Sequence, residues 1–488
     1  MSYKRVLLNT SLLTIASTFT AILGFIISIL IGRKLGTVLY GQYSFALAFV
    51  NLFVVFLDLG THTVMIRDIA RIPSKTISFL SSIISIKLIS SLVTFILIFT
   101  SSYFLSDIHT TVVLSSCAMI IYSFFSLFQS CFNAHQMMIH HALLTIFNKV
   151  LLSTMILVVS FTSLLSVHYL LLAHIVSSSI LCIISLILVV NYFGTISFSW
   201  DPSKWFYFLQ QGLPFATSSI LVVLCTKIDI SMLKLMDSDS ATGLYDAASK
   251  LATVVLLLPS NVSTAVFPAL SSSFHSDRTQ FNDYFNKSLH LLILMALPFG
   301  IIVMLLSNPI TMFIWGPSFI DAHRSLSFLA WTVSLQFITS LFSLCMNASD
   351  RQKTVLLITF FAVLLNIILN IIFIPLYGHP GASFTTLVTN VYFLLSFTFL
   401  IRSHIDYVKL LLLIARIVPS CIGLFAFITF YRSHSIILLI PIGIIVYILL
   451  ILPFHYTFVL SLVKILLYRT FNLLKRIGIY SLYLPTKI

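Results

Sequence analysis

Lys227 and Asp229 stand inside the apolar run LVVLCTKIDISMLKLM, and a charge at that depth faces a cavity or another charge. Two residues apart on a helix they point to different sides, so a mutual ion pair is not expected. The ammonium suits an anionic ligand and the carboxylate suits coupling to H⁺ or Na⁺; the competing reading is pairing with neighbouring helices for assembly alone. Asp246 and Lys250 have the four-residue spacing of an ion pair along one helix face, and they either neutralise each other near the outer surface or take part in binding. Asp58, in FLDLG, falls within reach of Arg67 or Arg71, which reads as a gate or a folding salt bridge. Arg33 and Lys34 close the first apolar segment. A guanidinium matches phosphate with two parallel hydrogen bonds, and the alternative for both residues is snorkelling to headgroups. Asn133 and Asn347 end two helices, where they hydrogen-bond a ligand, cap the helix or join neighbouring helices. Lys87 and Arg416 snorkel or pair. His135, His140 and His141 share one loop without an acidic partner, so no metal site is expected there.

These residues need a scaffold, and composition dictates its class. The chain of 488 residues is 59% hydrophobic and only 8% charged, far below the quarter or so of charged residues in soluble domains. It reads as an all-α polytopic membrane protein. At roughly 20 residues per span, the length accommodates about twelve to fourteen transmembrane helices and little else, and the apolar runs place about fourteen. The first apolar run is too long for a signal-peptide core and has no small-residue cleavage site, so it reads as a span. All six cysteines lie in apolar stretches without a CxxC pair, which makes them small apolar residues and not a disulfide or metal framework.

The expected organisation is an N-lobe of six spans (1–193), an interfacial linker (194–211) with Trp200 and Trp205, a C-lobe of six spans (212–402), two further spans (403–456) and an amphipathic tail (457–488). Lys and Arg concentrate on one side if the N-terminus is cytoplasmic. That side gathers Lys4, Arg5, Arg67, Arg71, Lys75, Lys149 and Lys204 among others, whereas the opposite side receives Arg33, Lys34, Lys234, Arg324 and Arg432. Both termini are therefore expected in the cytoplasm, in a multi-pass protein of the cell membrane. The net charge of +14 reflects attraction to anionic lipid and gives no reason to invoke nucleic acid.

Two internal echoes support the two-lobe reading. SLFQSCFNA (Ser126 to Ala134) returns as SLFSLCMNA (Ser340 to Ala348), 214 residues later. GQYSFA (Gly41 to Ala46) returns as GLYDAA (Gly243 to Ala248), 202 residues later. Six spans being an even number, the copies share an orientation and are related by a pseudo-two-fold axis along the membrane normal.

The stretches GRKLG (Gly32 to Gly36), YGQYSFALAF (Tyr40 to Phe49) and LDLGTHTVMIRDIAR (Leu57 to Arg71) resemble the opening of polysaccharide-biosynthesis flippases of the O-antigen type, in the multidrug/oligosaccharidyl-lipid/polysaccharide exporter superfamily. The resemblance covers the chain to about residue 456. It implies translocation of a polyprenyl-diphosphate-linked oligosaccharide by alternating access of two lobes, for cell-surface polysaccharide synthesis. Arg33, Lys34, Lys227, Lys250, Asn133 and Asn347 would then contact substrate, and Asp229, Asp58, Asp246 and Arg67 would serve coupling or gating. The implied partners are the lipid-linked substrate, membrane lipids, and a polysaccharide polymerase with glycosyltransferases; no cofactor is implied beyond a coupling H⁺ or Na⁺. Moving a glycan head through hydrocarbon exposes many unpaired polar groups, so such a transporter needs a shielded polar cavity with cations for the phosphates.

Two other classes compete. A cation-coupled exporter of drugs or small molecules uses the same fold and calls for a small acidic cavity. A membrane enzyme calls for catalytic acids or histidines in a sizeable outer loop, and the outer loops here are short. The absence of GxxxxGK[ST] argues against a P-loop nucleotide site.

Overall fold

The computed structural model describes residues 3–453 except 163–164, 198–199 and 432–434. The expected amphipathic tail (457–488) and Arg432 lie outside the described residues.

The chain folds as α1 (Tyr3–Leu52), α2 (Val54–Asp58), α3 (Thr61–Arg71), α4 (Thr76–Tyr103), α5 (His109–Ala134), α6 (Met138–Phe161) and α7 (Val167–Phe193). It continues through α8 (Pro202–Met236), α9 (Asp239–Val255), α10 (Leu257–Ser276), α11 (Arg278–Leu305) and α12 (Ser307–Trp315). α13 (Ala322–Ala348), α14 (Gln352–Tyr377), α15 (His379–Ile401) and α16 (Tyr407–Tyr431) follow, and α17 (Ile436–Pro453) closes the described chain. α1 is broken at Gly36, whose φ of 74° and ψ of 179° interrupt the helix and divide the first hairpin into its two arms.

Among the described residues twelve helices are long and apolar enough to cross a membrane, against about fourteen expected. The difference has two sources: both arms of α1 count once, and α8 is not among the twelve. The second arm also ends earlier than expected. It stops at Leu52, and Leu59 and Gly60 in left-handed conformation turn the chain into the amphipathic α3.

Short polar residues start the helices where the sequence supplies them. Asp201 accepts from the backbone N–H groups of Ser203 and Lys204, with Pro202 at the first helical position; Ser238 caps α9 and Asp277 caps α11 in the same way. Each satisfies donors that a helix cannot satisfy itself. Thus 202–211, expected as an interfacial linker, forms the first three turns of α8.

α1 packs with α5, α6 and α7 in the N-lobe, and α13 with α9, α11 and α15 in the C-lobe. The lobes meet where α1 touches α8 and α9 and where α3 touches α8. The repeat is visible in the backbone. α5 ends with Gln136 at φ 58°, and Met137 N–H donates to the Phe132 carbonyl at 2.8 Å. α13 ends with Asp350 at φ 56°, and Arg351 N–H donates to the Met346 carbonyl at 3.0 Å. Both are Schellman terminations at positions offset by 214 residues.

Candidate functional site

At the lobe interface, Asp246 of α9 accepts from Ser44 of α1 at 2.7 Å and pairs with Lys250 at 2.9 Å. Lys250 also donates to the Tyr40 hydroxyl at 2.8 Å and lies 4.9 Å from the ring centroid. The Asp246–Lys250 pair read from the spacing therefore forms, but its carboxylate is buried between the lobes and is not a surface feature.

Two more lysines stand in its field. Lys227 of α8 acts electrostatically on Asp246, and Lys149 of α6 senses Lys250 across the interface. Among the described residues neither Lys149 nor Lys227 forms an ion pair. Counting a helical rise of 1.5 Å per residue, all three lysines lie roughly 14 to 18 Å from the helix ends opposite the basic end, near the middle of a hydrocarbon core of about 30 Å. Lys149, counted by the sequence among cations of the cytoplasmic side, is in fact halfway along the 24-residue α6. Lys250 and Lys227 act on the same Asp246 carboxylate, and Lys149 stands across the interface from Lys250; more basic than acidic groups gather here at mid-depth, an arrangement suited to an anion.

Beside this group lies a cavity of about 520 Å³ in the N-lobe. Its wall includes Lys149, Asn148, Asn51, Gln129, His174 and Thr20, together with Asp58. Amides and hydroxyls of this kind can exchange hydrogen bonds with a polar ligand.

Asp229 faces away from Lys227, as the two-residue spacing requires. It is buried in the C-lobe and accepts from the Tyr245 hydroxyl at 2.6 Å, Thr386 at 2.8 Å and the Asn370 amide at 2.6 Å. Asn370 in turn donates to Asn366 at 3.0 Å and accepts from Thr385. Sequence reasoning found the carboxylate and missed this shell. Asn366 and Asn370, four apart on one face of the apolar α14, were the signal available. Oxygen-bearing side chains around one carboxylate form a donor set suited to a hard cation, and each of them can equally hydrogen-bond a protonated acid.

At the basic end, Asp58 is not paired with Arg67 or Arg71. It binds Lys87 of α4, whose side chain is 4% exposed, with His62 at 3.9 Å. Lys87 is buried by helix packing, so Asp58 is the acid it can reach. Arg67 instead pairs with Asp68 at 2.9 Å and reaches across the lobes to Tyr207 at 3.3 Å and Gln211 at 3.5 Å of α8. Tyr207 completes a triangle by donating to Asp68 at 3.0 Å. The Asp68 carboxylate, first by its hydrogen bond, raises the pKa of the Arg67 guanidinium above its ordinary value. Nearby, a Cβ on Gly60 would sit 2.0 Å from the Gly212 carbonyl oxygen, so the lobes touch backbone to backbone. Asp68 and Tyr207 were not singled out from the sequence.

The remaining expectations are placed elsewhere. Arg33 is exposed and donates to the Phe313 and Ile314 carbonyls, the latter at 2.8 Å. Those carbonyls end α12, so Arg33 caps a helix C-terminus and stands apart from the interfacial lysines. Lys34 lies over the Phe161 ring at 5.2 Å, also at the end opposite the basic one. Asn133 and Asn347 enter the two Schellman terminations through their backbone carbonyls, at 2.9 and 3.4 Å.

The two-lobed helical bundle with buried charge at its interface has counterparts among solved structures. The lipid II flippase MurJ in an inward closed conformation is similar to this chain with a TM-score of 0.75 and 18% identity, covering 91% of this chain and 99% of MurJ. An inward-facing multidrug resistance MATE family transporter of the MOP superfamily gives 0.64 and 14% identity, over 78% and 93% of the two chains. At these identities the likeness is one of fold. The chain belongs to the polysaccharide biosynthesis protein family, whose pattern matches residues 6–274. The MatE family pattern matches residues 214–372. Two proteins of Haloferax volcanii are similar in sequence: the probable low-salt glycan biosynthesis flippase Agl15, 26% identical over 162 residues, 33% of this chain and 34% of Agl15, and the probable flippase AglR, 26% identical over 166 residues, 33% and 35%. The match thus spans about a third of the length of either relative.

Proposed function

We propose that this protein translocates a lipid-linked oligosaccharide, carried on a polyprenyl diphosphate, across the cytoplasmic membrane by alternating access of its lobes. The observation that carries the reading is the group formed by Lys149, Lys227 and Lys250 with Asp246 between the lobes, beside a polar cavity of about 520 Å³. The diphosphate would neutralise the lysines, and the sugar hydroxyls would exchange hydrogen bonds with the amides and hydroxyls of the cavity. The names of the Haloferax relatives, both flippases, support the same class. The basic end and both termini would be cytoplasmic, following the distribution of Lys and Arg. A polymerase and glycosyltransferases would supply and consume the cargo.

Asp229 would carry the coupling ion, H⁺ or Na⁺, since its shell of hydroxyl and amide groups can serve either. A cation-coupled exporter of small molecules is the second reading, favoured by the MatE match over residues 214–372. The surplus of lysines at the interface is unfavourable for cationic drugs.

The test is reconstitution in liposomes, scoring exposure of a lipid-diphosphate oligosaccharide to an external glycosidase with and without an ion gradient. Protein-dependent exposure supports the flippase. No exposure, together with gradient-driven movement of a soluble cation, would replace it with the exporter.

A further inference from the structure

A second cavity, of about 870 Å³, lies on the flank of the C-lobe between the first turns of α11, residues 403–406 and α16. It is built on elements other than α1, α6, α8 and α9, which hold the interfacial lysines. Its wall is fixed: His404 bonds the Asn282 side chain at 2.9 Å, and Asn286 donates to the His404 carbonyl at 3.3 Å. Lys287 and Lys409 line its rim, each paired with an acid on its own helix or at its start, Asp283 at 2.7 Å and Asp406 at 3.0 Å.

Arg416 is different. It lines the same cavity and is exposed, yet among the described residues it makes no ion pair or hydrogen bond. It stands nine residues into α16, about 14 Å from the first turn, in a helix apolar enough to span the membrane. A guanidinium at that depth requires an anion or access to water. The wall beside it is apolar and opens to the outer surface of the bundle, where Leu412 lines the cavity and is 50% exposed.

A cation below the helix start, a polar rim above it and an apolar exit beside it match an amphiphile with a phosphate head. We propose that the α11/α16 cavity binds the headgroup of an anionic bilayer phospholipid, its phosphate on Arg416 and its acyl chains leaving past Leu412. The site is independent of the transport reading. A water-soluble phosphate would have to leave water to reach Arg416, whereas a lipid phosphate enters from the side.

The experiment uses the full-length protein in neutral detergent, doped with phosphatidylglycerol, phosphatidylcholine or inorganic pyrophosphate. Bound lipid is counted by native mass spectrometry and the melting temperature is followed in parallel. The wild type is expected to retain phosphatidylglycerol and to melt at higher temperature with it, with neither effect from phosphatidylcholine or pyrophosphate. Arg416→Ala should weaken phosphatidylglycerol binding at least about tenfold, as expected for losing one charge-assisted contact, and Arg416→Lys should restore part of it. Leu412→Trp leaves every charge in place and obstructs the exit, so it should also lower lipid occupancy if Arg416→Ala fails to fold. Unchanged phosphatidylglycerol binding in whichever of these variants fold, or equal retention of phosphatidylcholine, overturns the proposal. Displacement of the lipid by pyrophosphate overturns the lipid assignment and points to a free phosphate site.

Discussion

Gly41 and Gly243, one from each copy of the repeat, meet face to face between α1 and α9. A Cβ on Gly41 would sit 1.8 Å from the carbonyl oxygen of Asp239, and a Cβ on Gly243 would sit 2.2 Å from that of Thr37. The contact is reciprocal, because Thr37 and Asp239 are themselves separated by the repeat offset. Ser44 and Asp246, the hydrogen-bonded pair at 2.7 Å, stand in the same relation, 202 residues apart. The pseudo-two-fold axis therefore runs between these glycines, and no other residue lets the two backbones come so close.

Gly41→Ala should force the lobes apart at this end. A cost of about 1–3 kcal/mol is expected for overpacking of this kind, seen as a lower melting temperature. The hydroxyls of Thr37 and Ser240 are 3.0 Å apart, so Thr37→Cys with Ser240→Cys should cross-link in the parent and cross-link less once Gly41→Ala is added. Equal cross-linking would show that the contact is not held by the glycines.

Asp58→Ala should destabilise the protein by about 3 kcal/mol, because it strands the buried Lys87 without its carboxylate. Adding Lys87→Leu should return much of that loss, since the uncompensated charge is gone. Thermal unfolding of the two single variants and the double variant measures the coupling directly. If the single and double variants melt alike, Lys87 has another partner.

Lys149→Ala, Lys227→Ala and Lys250→Ala should each reduce export at least about tenfold, as loss of a charge-assisted phosphate contact predicts. Arg33→Ala should lower the melting temperature and leave the transport rate of the folded protein within about twofold, as loss of a helix cap predicts. Initial rates of glycan exposure in liposomes separate the two groups. Near-wild-type rates in all three lysine variants would remove the cationic site.

Tyr207→Phe deletes the hydroxyl that accepts from Arg67 and donates to Asp68. Loss of about 1 kcal/mol at a lobe contact should favour opening at the basic end by several-fold. Labelling of a cysteine introduced at Gln211 reports it; unchanged labelling would mean that the Gly60–Gly212 approach alone holds that end closed.

Asp229→Asn keeps the side-chain size and removes the charge. Transport should continue at the rate measured without a gradient and lose its acceleration by H⁺ or Na⁺. If the acceleration persists, the coupling ion is held elsewhere.

The sequence by itself determined the class of this protein. With 8% charged residues the chain can hide its backbone only in helices that satisfy their own hydrogen bonds within lipid, and the repeated motifs fixed a two-lobe plan. Asp246 and Lys250 were legible because their interaction is local, set by helical spacing. What only the tertiary structure decided are the partnerships between residues distant in the chain. Lys87 became the partner of Asp58, Lys149 moved from the cytoplasmic side to mid-depth at the lobe interface, Arg33 became the cap of α12, and Asn366, Asn370 and Thr386 gathered around Asp229. In a helix, neighbours three and four residues away are fixed by the backbone, whereas contacts between helices depend on how each one tilts, rotates and slides against the next, which composition and spacing do not specify.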